Sequence, residues 1–222
     1  MQLTAPIIAF VGRSESGKTT FIERLVPELK GRGYKVATVK HVPQHFQPAA
    51  PVRDTERHLA AGADATIAAT PGALILTKPC SSENPLDEIA RLLGDEYDII
   101  IAEGFKSSGI PKFEIWRRGA GTPLEDIKSR VAVITDDDYP GESARRFRLS
   151  EVGEVADLIE KGYILPNLER ISLNINGESV ALSAFPREFM TNIVNALIAS
   201  LKGVPPVKWL EIRLRRGDNK SA

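Results

Sequence analysis

The sequence predicts an α/β fold: a mostly parallel sheet with flanking helices, followed by a small C-terminal ββαβ module. Three features of the sequence predict it. Apolar runs with the length of buried strands alternate with segments whose apolar residues recur at helical spacing. A glycine-containing loop joins the first such strand to the first such helix. After about residue 150 the pattern changes, and an Asn-Gly pair separates two alternating strands.

Composition bounds the reading. The chain has 222 residues, 42% of them hydrophobic, which suffices for a packed core and excludes a disordered chain. The length suits one full domain and a small second one. Lys+Arg and Asp+Glu both total 29, so no broad nucleic-acid surface is expected. The single cysteine, Cys80, makes an internal disulfide impossible and points to a reduced, cytoplasmic setting. No apolar run approaches a membrane span, so no membrane partner is expected.

The elements follow in order. The run Ile7 to Val11 reads as a buried strand and not as a signal peptide. Thr19 to Lys30 carries Phe21, Ile22, Leu25, Val26 and Leu29 at helical spacing, with Pro27 inside the pattern and Gly31 and Gly33 as stops. Lys35 to Val39 is the next strand, reached by a right-handed crossover. His41 to Val52 is a proline-rich loop. Asp54 to Ala61 reads as a short helix stopped by Gly62, before short strands at Ala65–Thr70 and Ala73–Thr77. Pro85 to Leu93 has proline in its first turn and Gly94 after its end. Asp98 to Ala102 is the strongest buried strand, and Phe113–Trp116 and Arg130–Thr135 are further strands. Val152 to Lys161 is a helix expected to end at Gly162.

A boundary at Pro166 divides a nucleotide-binding domain, 1–162, from a small module, 166–222. In that module a two-residue Asn176-Gly177 turn sets Ile175 opposite Glu178, Leu173 opposite Val180 and Ile171 opposite Leu182. Pro186 to Leu201 is a helix with Phe189, Ile193, Leu197 and Leu201 in one row, expected to cover the hairpin. Leu210, Ile212 and Leu214 alternate as a last strand.

Residues Gly12 to Thr19, GRSESGKT, fit the G-x-x-x-x-G-K-[ST] phosphate loop between a strand and a helix. Such a loop presents N–H groups and a helix N-terminus to phosphates, and its glycines allow close approach. Gly12, Ser14, Ser16, Gly17 and Lys18 are the phosphate-side candidates, with Thr19 on Mg²⁺. Thr20 reads either as an α-phosphate contact or as a cap of its own turn. A second acid belongs at the carboxyl end of a buried strand. Glu103 fits that place better than Asp98, which starts the strand. Glu103 is expected to bind Mg²⁺ or orient the attacking water, and Gly104 to offer its N–H to the γ-phosphate. Lys106 reads equally as a phosphate contact or a solvated lysine.

Lys40, His41, His45, Asp54, Thr55, Arg57 and His58 cluster after the second strand. Asp54 is the Mg²⁺-side carboxylate candidate, and Arg53 or Arg57 can meet phosphate or a partner. Pro43 separates His41 from His45, which argues against a histidine metal site. Cys80 reads as an inert loop thiol.

GRSESGKTT, the pair Lys40-His41, DTERHLAAGA from Asp54 to Ala63 and IIIAEGFK from Ile99 to Lys106, in this order, resemble the MobB family of molybdopterin-guanine dinucleotide biosynthesis adapter proteins. The resemblance covers roughly residues 5 to 140. It implies a GTP-binding P-loop protein, a homodimer with weak GTPase activity, that supports the guanylyltransferase of the molybdenum-cofactor pathway by delivering GTP or by docking enzymes of that pathway. It places Gly12, Ser14, Gly17, Lys18, Thr19 and Thr20 on phosphate and Mg²⁺, and gives Asp54 and Glu103 the acidic, catalytic roles. Gln47, Ala49 and Val52 depart from the family pattern of acids and Pro-Gly in that loop. Residues beyond about 166 exceed the short form of the family and imply an appended module.

Guanine specificity does not follow from spacing, because there is no Asn-Lys-x-Asp. Asp136 stands at a strand end and is the candidate base reader, against the simpler reading of an acidic turn. Two other functions compete. A small-molecule kinase or ATP-dependent ligase needs an arginine-bearing lid, for which Arg117, Arg118 and Arg130 are candidates. A metal-delivery GTPase needs a Cys/His cluster, against which one cysteine and three histidines argue. Gln44 and Gln47 are the glutamines of the 41–52 loop, and no obvious water-orienting glutamine or internal arginine finger stands out in the sequence.

Overall fold

A computed structural model describes residues 5–42, 53–80, 85–94, 96–141, 145–167, 173–175, 178–180, 182–203, 210 and 212. The expectations that rest on Pro43, Gln44, His45, Gln47, Ala49, Val52, Ile171, the Asn176-Gly177 turn and Leu214 lie outside the described residues. The chain divides into a larger compact unit, Thr4–Glu169, and a smaller one that includes Arg170–Ala222.

The larger unit is built on a parallel sheet. In chain order its first elements are β1 (Ile7–Val11), α1 (Lys18–Gly31), β2 (Val36–Lys40) and α2 (Arg53–Ala60). Next come β3 (Thr66–Thr70), β4 (Ala73–Thr77), α3 (Pro85–Leu93), β5 (Ile99–Glu103), β6 (Lys112–Ile115) and β7 (Arg130–Ile134). The two-residue strand β8 (Arg146–Phe147) and α4 (Val152–Ile159) follow. The sheet order is β2-β5-β1-β6-β7-β8, with every pairing parallel. From β1 the chain goes to the edge strand β2, returns as β5 beside β1, and then crosses to the other side as β6. The carboxyl edge of β1 is therefore the topological switch point, where open α/β sheets place ligands.

Alternation along β1 sorts the two faces. Ile8 and Phe10 pack with Phe21, Leu25 and Leu29 of α1 and with Val155 and Ile159 of α4. Ala9 and Val11 face the other way, towards Leu86 of α3 and Ala102. The Phe10 ring stacks on Phe113 at 5.3 Å and meets Phe21, tilted, at 5.6 Å. Both faces of β1 are covered, so its run is continuously apolar.

The far end of α1 is tied down. Arg32 donates to Glu28, Asp157 and Glu160 at 2.6–3.0 Å, and the Tyr34 hydroxyl donates to Glu160 at 2.6 Å. Midway, Arg24 donates to the Leu149 carbonyl at 2.8 Å. Pro27 sits inside α1 and offers no N–H to the carbonyl four residues back, on Glu23. That turn lines a cleft of about 410 Å³ with Thr19, Thr38, Lys40 and Glu103.

Several elements differ from expectation. Strands β3 and β4 pair antiparallel with each other and stay out of the main sheet. Their hairpin leaves Ile67, Leu74, Ile75 and Leu76 exposed. Strand β8 is too short to show a pattern in sequence. Gly162 does not stop the helix after α4: a π turn, Glu160–Ile164, and a 3-10 turn, Leu165–Asn167, carry the coil on. Ile164 is buried, and its packing outweighs the helix-breaking tendency of glycine.

In the smaller unit β9 (Leu173–Ile175) and β10 (Glu178–Val180) pair in the predicted register. Helix α5 (Ala184–Ser200) follows, but Phe189, Ile193, Leu197 and Leu201 are exposed. The expected burial of that row under the hairpin is not seen among the described residues. Leu210 and Ile212 are in no strand.

Candidate functional site

The phosphate-loop sequence lies at the switch point. Strand β1 delivers Gly12 so close to β6 that an ideal Cβ there would sit 2.3 Å from the Ile115 carbonyl oxygen and 2.6 Å from Ser16 Oγ. Only glycine permits that approach. The loop tip, Glu15, has φ 61, a left-handed conformation that costs a non-glycine residue on the order of 1 kcal/mol. Gly17, at φ +96, is the N-cap of α1, whose first turn carries no acidic residue. The positive end of that helix is left without a carboxylate of its own.

The loop closes on itself. Lys18 Nζ donates to the Arg13 carbonyl at 2.7 Å, and the Ser16 N–H reaches the same oxygen at 3.3 Å. Burial holds the Lys18 ammonium below the usual lysine range; Lys106 and Lys40 push the same way, and Glu103 opposes them. Ser16 is 1% exposed, and its Oγ has no hydrogen-bond partner. A buried hydroxyl without a partner is costly and suits a loop awaiting an acceptor. Arg13 clamps the loop outward, with Nε on the Thr122 carbonyl at 2.6 Å and Nη2 on Thr122 Oγ1 at 2.7 Å.

Glu103, the last residue of β5, faces this loop. The Thr19 hydroxyl donates to its carboxylate, at 3.1 Å to Oε1 and 3.0 Å to Oε2. Lys40 approaches Oε1 at 3.3 Å, and the His41 N–H donates to the Glu103 carbonyl at 2.9 Å. A hydroxyl and a carboxylate are hard oxygen donors of the kind Mg²⁺ takes together with substrate phosphates. Among the described residues no group of three or more His, Cys, Asp or Glu could hold a metal alone. The donor set thus fits a nucleotide-borne Mg²⁺.

The other predicted residues are placed differently. The Gly104 N–H, expected to serve a phosphate, donates to the Phe10 carbonyl at 2.9 Å in this structure. An ideal Cβ on Gly104, at φ +95, would lie 3.0 Å from His41 Cβ, so this glycine serves packing. Asp54 lies on α2 with Arg57 at 3.6 Å, and no described contact brings it to Thr19 or Glu103. Asp136 is exposed and accepts the Leu149 N–H at 2.9 Å on one oxygen, while Asp137 accepts the Arg118 N–H. Ser14, Thr20 and Lys106 are exposed at the site. His41 packs edge-on to Phe105 with ring centroids 5.1 Å apart. Cys80 is exposed and free.

Two features escaped the sequence reading. One is the clamp made by Arg13, since nothing in an exposed loop arginine announces a partner 109 positions away. The other is a buried polar cluster in β6. Glu114, 1% exposed, accepts from Arg130 at 2.8 Å, the Tyr139 hydroxyl at 2.9 Å and the Leu124 N–H at 2.8 Å. Lys112, fully buried, donates to the carbonyls of Ser108, Ile110 and Lys128. Charges alternating with apolar residues in KFEIW were the available signal.

Residues 7–136 match the family described as MobB, molybdopterin guanine dinucleotide synthesis protein B. A molybdopterin-guanine dinucleotide biosynthesis adapter protein from Haemophilus influenzae is 32% identical over 160 residues, covering 70% of this chain and 88% of the relative. The crystal structure of Bacillus subtilis MobB superposes with a TM-score of 0.54 at 30% identity, over 70% of this chain and 96% of that one. A putative adapter protein of the same description from Methanocaldococcus jannaschii aligns at 23% identity over 94% of this chain and 97% of its own length, and so reaches into the smaller unit.

Proposed function

This chain belongs to the MobB family, and on that premise we propose that it is an adapter in molybdopterin guanine dinucleotide biosynthesis that binds GTP with Mg²⁺. It turns GTP over slowly and assists the guanylyltransferase. The observation that carries the reading is the Lys18–Thr19–Glu103 cluster at the carboxyl edge of β1 and β5, beside the partnerless Ser16 hydroxyl. Lys18 exchanges the Arg13 carbonyl for a phosphate oxygen, and the loop N–H groups and the α1 terminus hold the rest of the chain of phosphates. The Thr19 hydroxyl and the Glu103 carboxylate hold the Mg²⁺.

Slow turnover fits a site whose one carboxylate among the described residues, Glu103, already serves Thr19 and Lys40, leaving little to orient a water. A homodimer is part of the proposal, supported by the exposed apolar hairpin β3–β4. A cytoplasmic setting is too, supported by the single free cysteine.

Calorimetric titration with Mg²⁺-GTP and, separately, Mg²⁺-ATP tests the proposal. Preferential binding of GTP is expected. Preference for ATP overturns it in favour of a kinase or ligase, and the search then turns to an acceptor.

A further inference from the structure

Two arginines meet the phosphate loop, and their positions differ. Arg13 is engaged by Thr122 through two donors. Arg117, two residues past the end of β6, lies against Gly17: its Nη2, Nε and Cζ stand 3.4, 3.5 and 3.6 Å from where a Cβ on residue 17 would be. Arg117 is exposed, and among the described residues it has no ion pair. Its backbone is firmly held on both sides. The Trp116 N–H donates to the Ile134 carbonyl at 3.1 Å, and the Trp116 indole donates to the Gly121 carbonyl at 2.8 Å. The Ala120 N–H closes a turn onto the Arg117 carbonyl at 3.0 Å.

A guanidinium laid on the residue that starts α1 stands at the positive end of a helix dipole. Among the described residues no ion pair offsets that placement, which favours an incoming anion. The planar fork of donors matches phosphate oxygens in a way an ammonium does not.

We infer that Arg117 is a phosphate ligand supplied from within the chain: its guanidinium binds the polyphosphate seated in the loop and makes affinity depend on the number of phosphates. The inference rests on the reading of residues 12–19 as the GTP site. It adds a residue outside the loop motif, carried by the exit of β6.

The test is displacement of a fluorescent GTP analogue from the full chain by GTP, GDP and GMP, with Mg²⁺, in the parent and in four variants. Arg117→Ala is expected to weaken GTP and GDP by about tenfold or more, the loss of one charge-assisted hydrogen bond, and GMP far less. Arg117→Lys should recover only part of the loss, because the fork is gone. Arg118→Ala should bind like the parent, and the melting temperature of Arg117→Ala should be unchanged. Parental GTP and GDP affinity in Arg117→Ala, while Lys18→Ala has lost binding, overturns this inference alone. An equal loss for GTP and GMP overturns it as well, since that marks a support for the loop and not a phosphate contact. A parent that binds no GTP, or a Lys18→Ala chain that binds it normally, overturns the site itself.

Discussion

Replacing Gly12 with alanine tests the closest approach in the structure. The new Cβ would start 2.3 Å from the Ile115 carbonyl oxygen and 2.6 Å from Ser16 Oγ. Carbon–oxygen contacts relax at roughly 3.3 Å, so about 1 Å of movement is required. Ser16 can turn its hydroxyl aside. Ile115 cannot yield, because it is fully buried and paired with Ile134 in the neighbouring strand. The loop therefore moves. Overpacking of this kind costs about 1–3 kcal/mol, and at about 2–4 °C per kcal/mol for a domain of this size the melting temperature should fall by roughly 2–12 °C. GTP affinity should fall further. Two misdirected hydrogen bonds to charged oxygens, at about 1.5–3 kcal/mol each, correspond to a hundredfold loss or more.

Differential scanning fluorimetry and calorimetry on one preparation read both effects. Gly153→Ala is the control: it lies in α4 with nothing within 4 Å of its Cβ, and should gain about 0.5–1 kcal/mol of stability. A Gly12→Ala chain that melts and binds GTP like its parent refutes the reasoning, because no listener to that contact would then exist in the loop.

Other substitutions separate the parts of the site and of the fold. Lys18→Ala should weaken GTP binding by well over tenfold, the worth of one charged phosphate contact of about 2–3 kcal/mol, as read by calorimetry. Glu103→Gln keeps the shape and removes the charge beside Thr19, so GTP affinity should no longer tighten when Mg²⁺ is added; a retained Mg²⁺ response counts against its role. The Tyr139 phenol is pushed up from 10.0 to about 12 by burial and by its bond to Glu114. Its contribution is thus complete below pH 10 and is lost as pH rises through about 12. Urea melts across that window should show the decline in the parent and a smaller one in Tyr139→Phe. A chain ending at residue 169 should keep a cooperative melt and bind GTP, and loss of cooperativity would show that the two units share a core.

What could be read from the sequence follows from range. Local patterns identified Ile7–Val11 and Pro85–Leu93 to the residue, because one is a strand covered on both faces and the other has proline at its start and glycine at its end. The pairing of Leu173 with Val180 followed from turn length alone. The partnership of Thr19 with Glu103 was expected from sheet polarity, since both end up at the carboxyl edge. Other contacts between distant elements were not legible. The hairpin β3–β4 reads like any pair of strands until its partners are known. Gly104 followed the strand where a phosphate contact was expected, but β1 claims its N–H. Arg117 was weighed as a lid residue, whereas its place against Gly17 depends on β6 lying next to β1.

The pinning of α1 by Arg32 has a mechanical consequence. The helix is about 21 Å long, with the phosphate loop at one tip and the Glu28, Asp157 and Glu160 carboxylates gripping the other. It behaves as a fixed mast and not as a lever. Tilting it would cost the bonds from Arg32 to Asp157 and Glu160. The contacts left to answer the proposed nucleotide lie to the sides, between Thr19 and Glu103 at the end of β5 and between Arg13 and the turn at Thr122. On the proposed reading, a partner protein would tell a nucleotide-loaded chain from an empty one at those two rims.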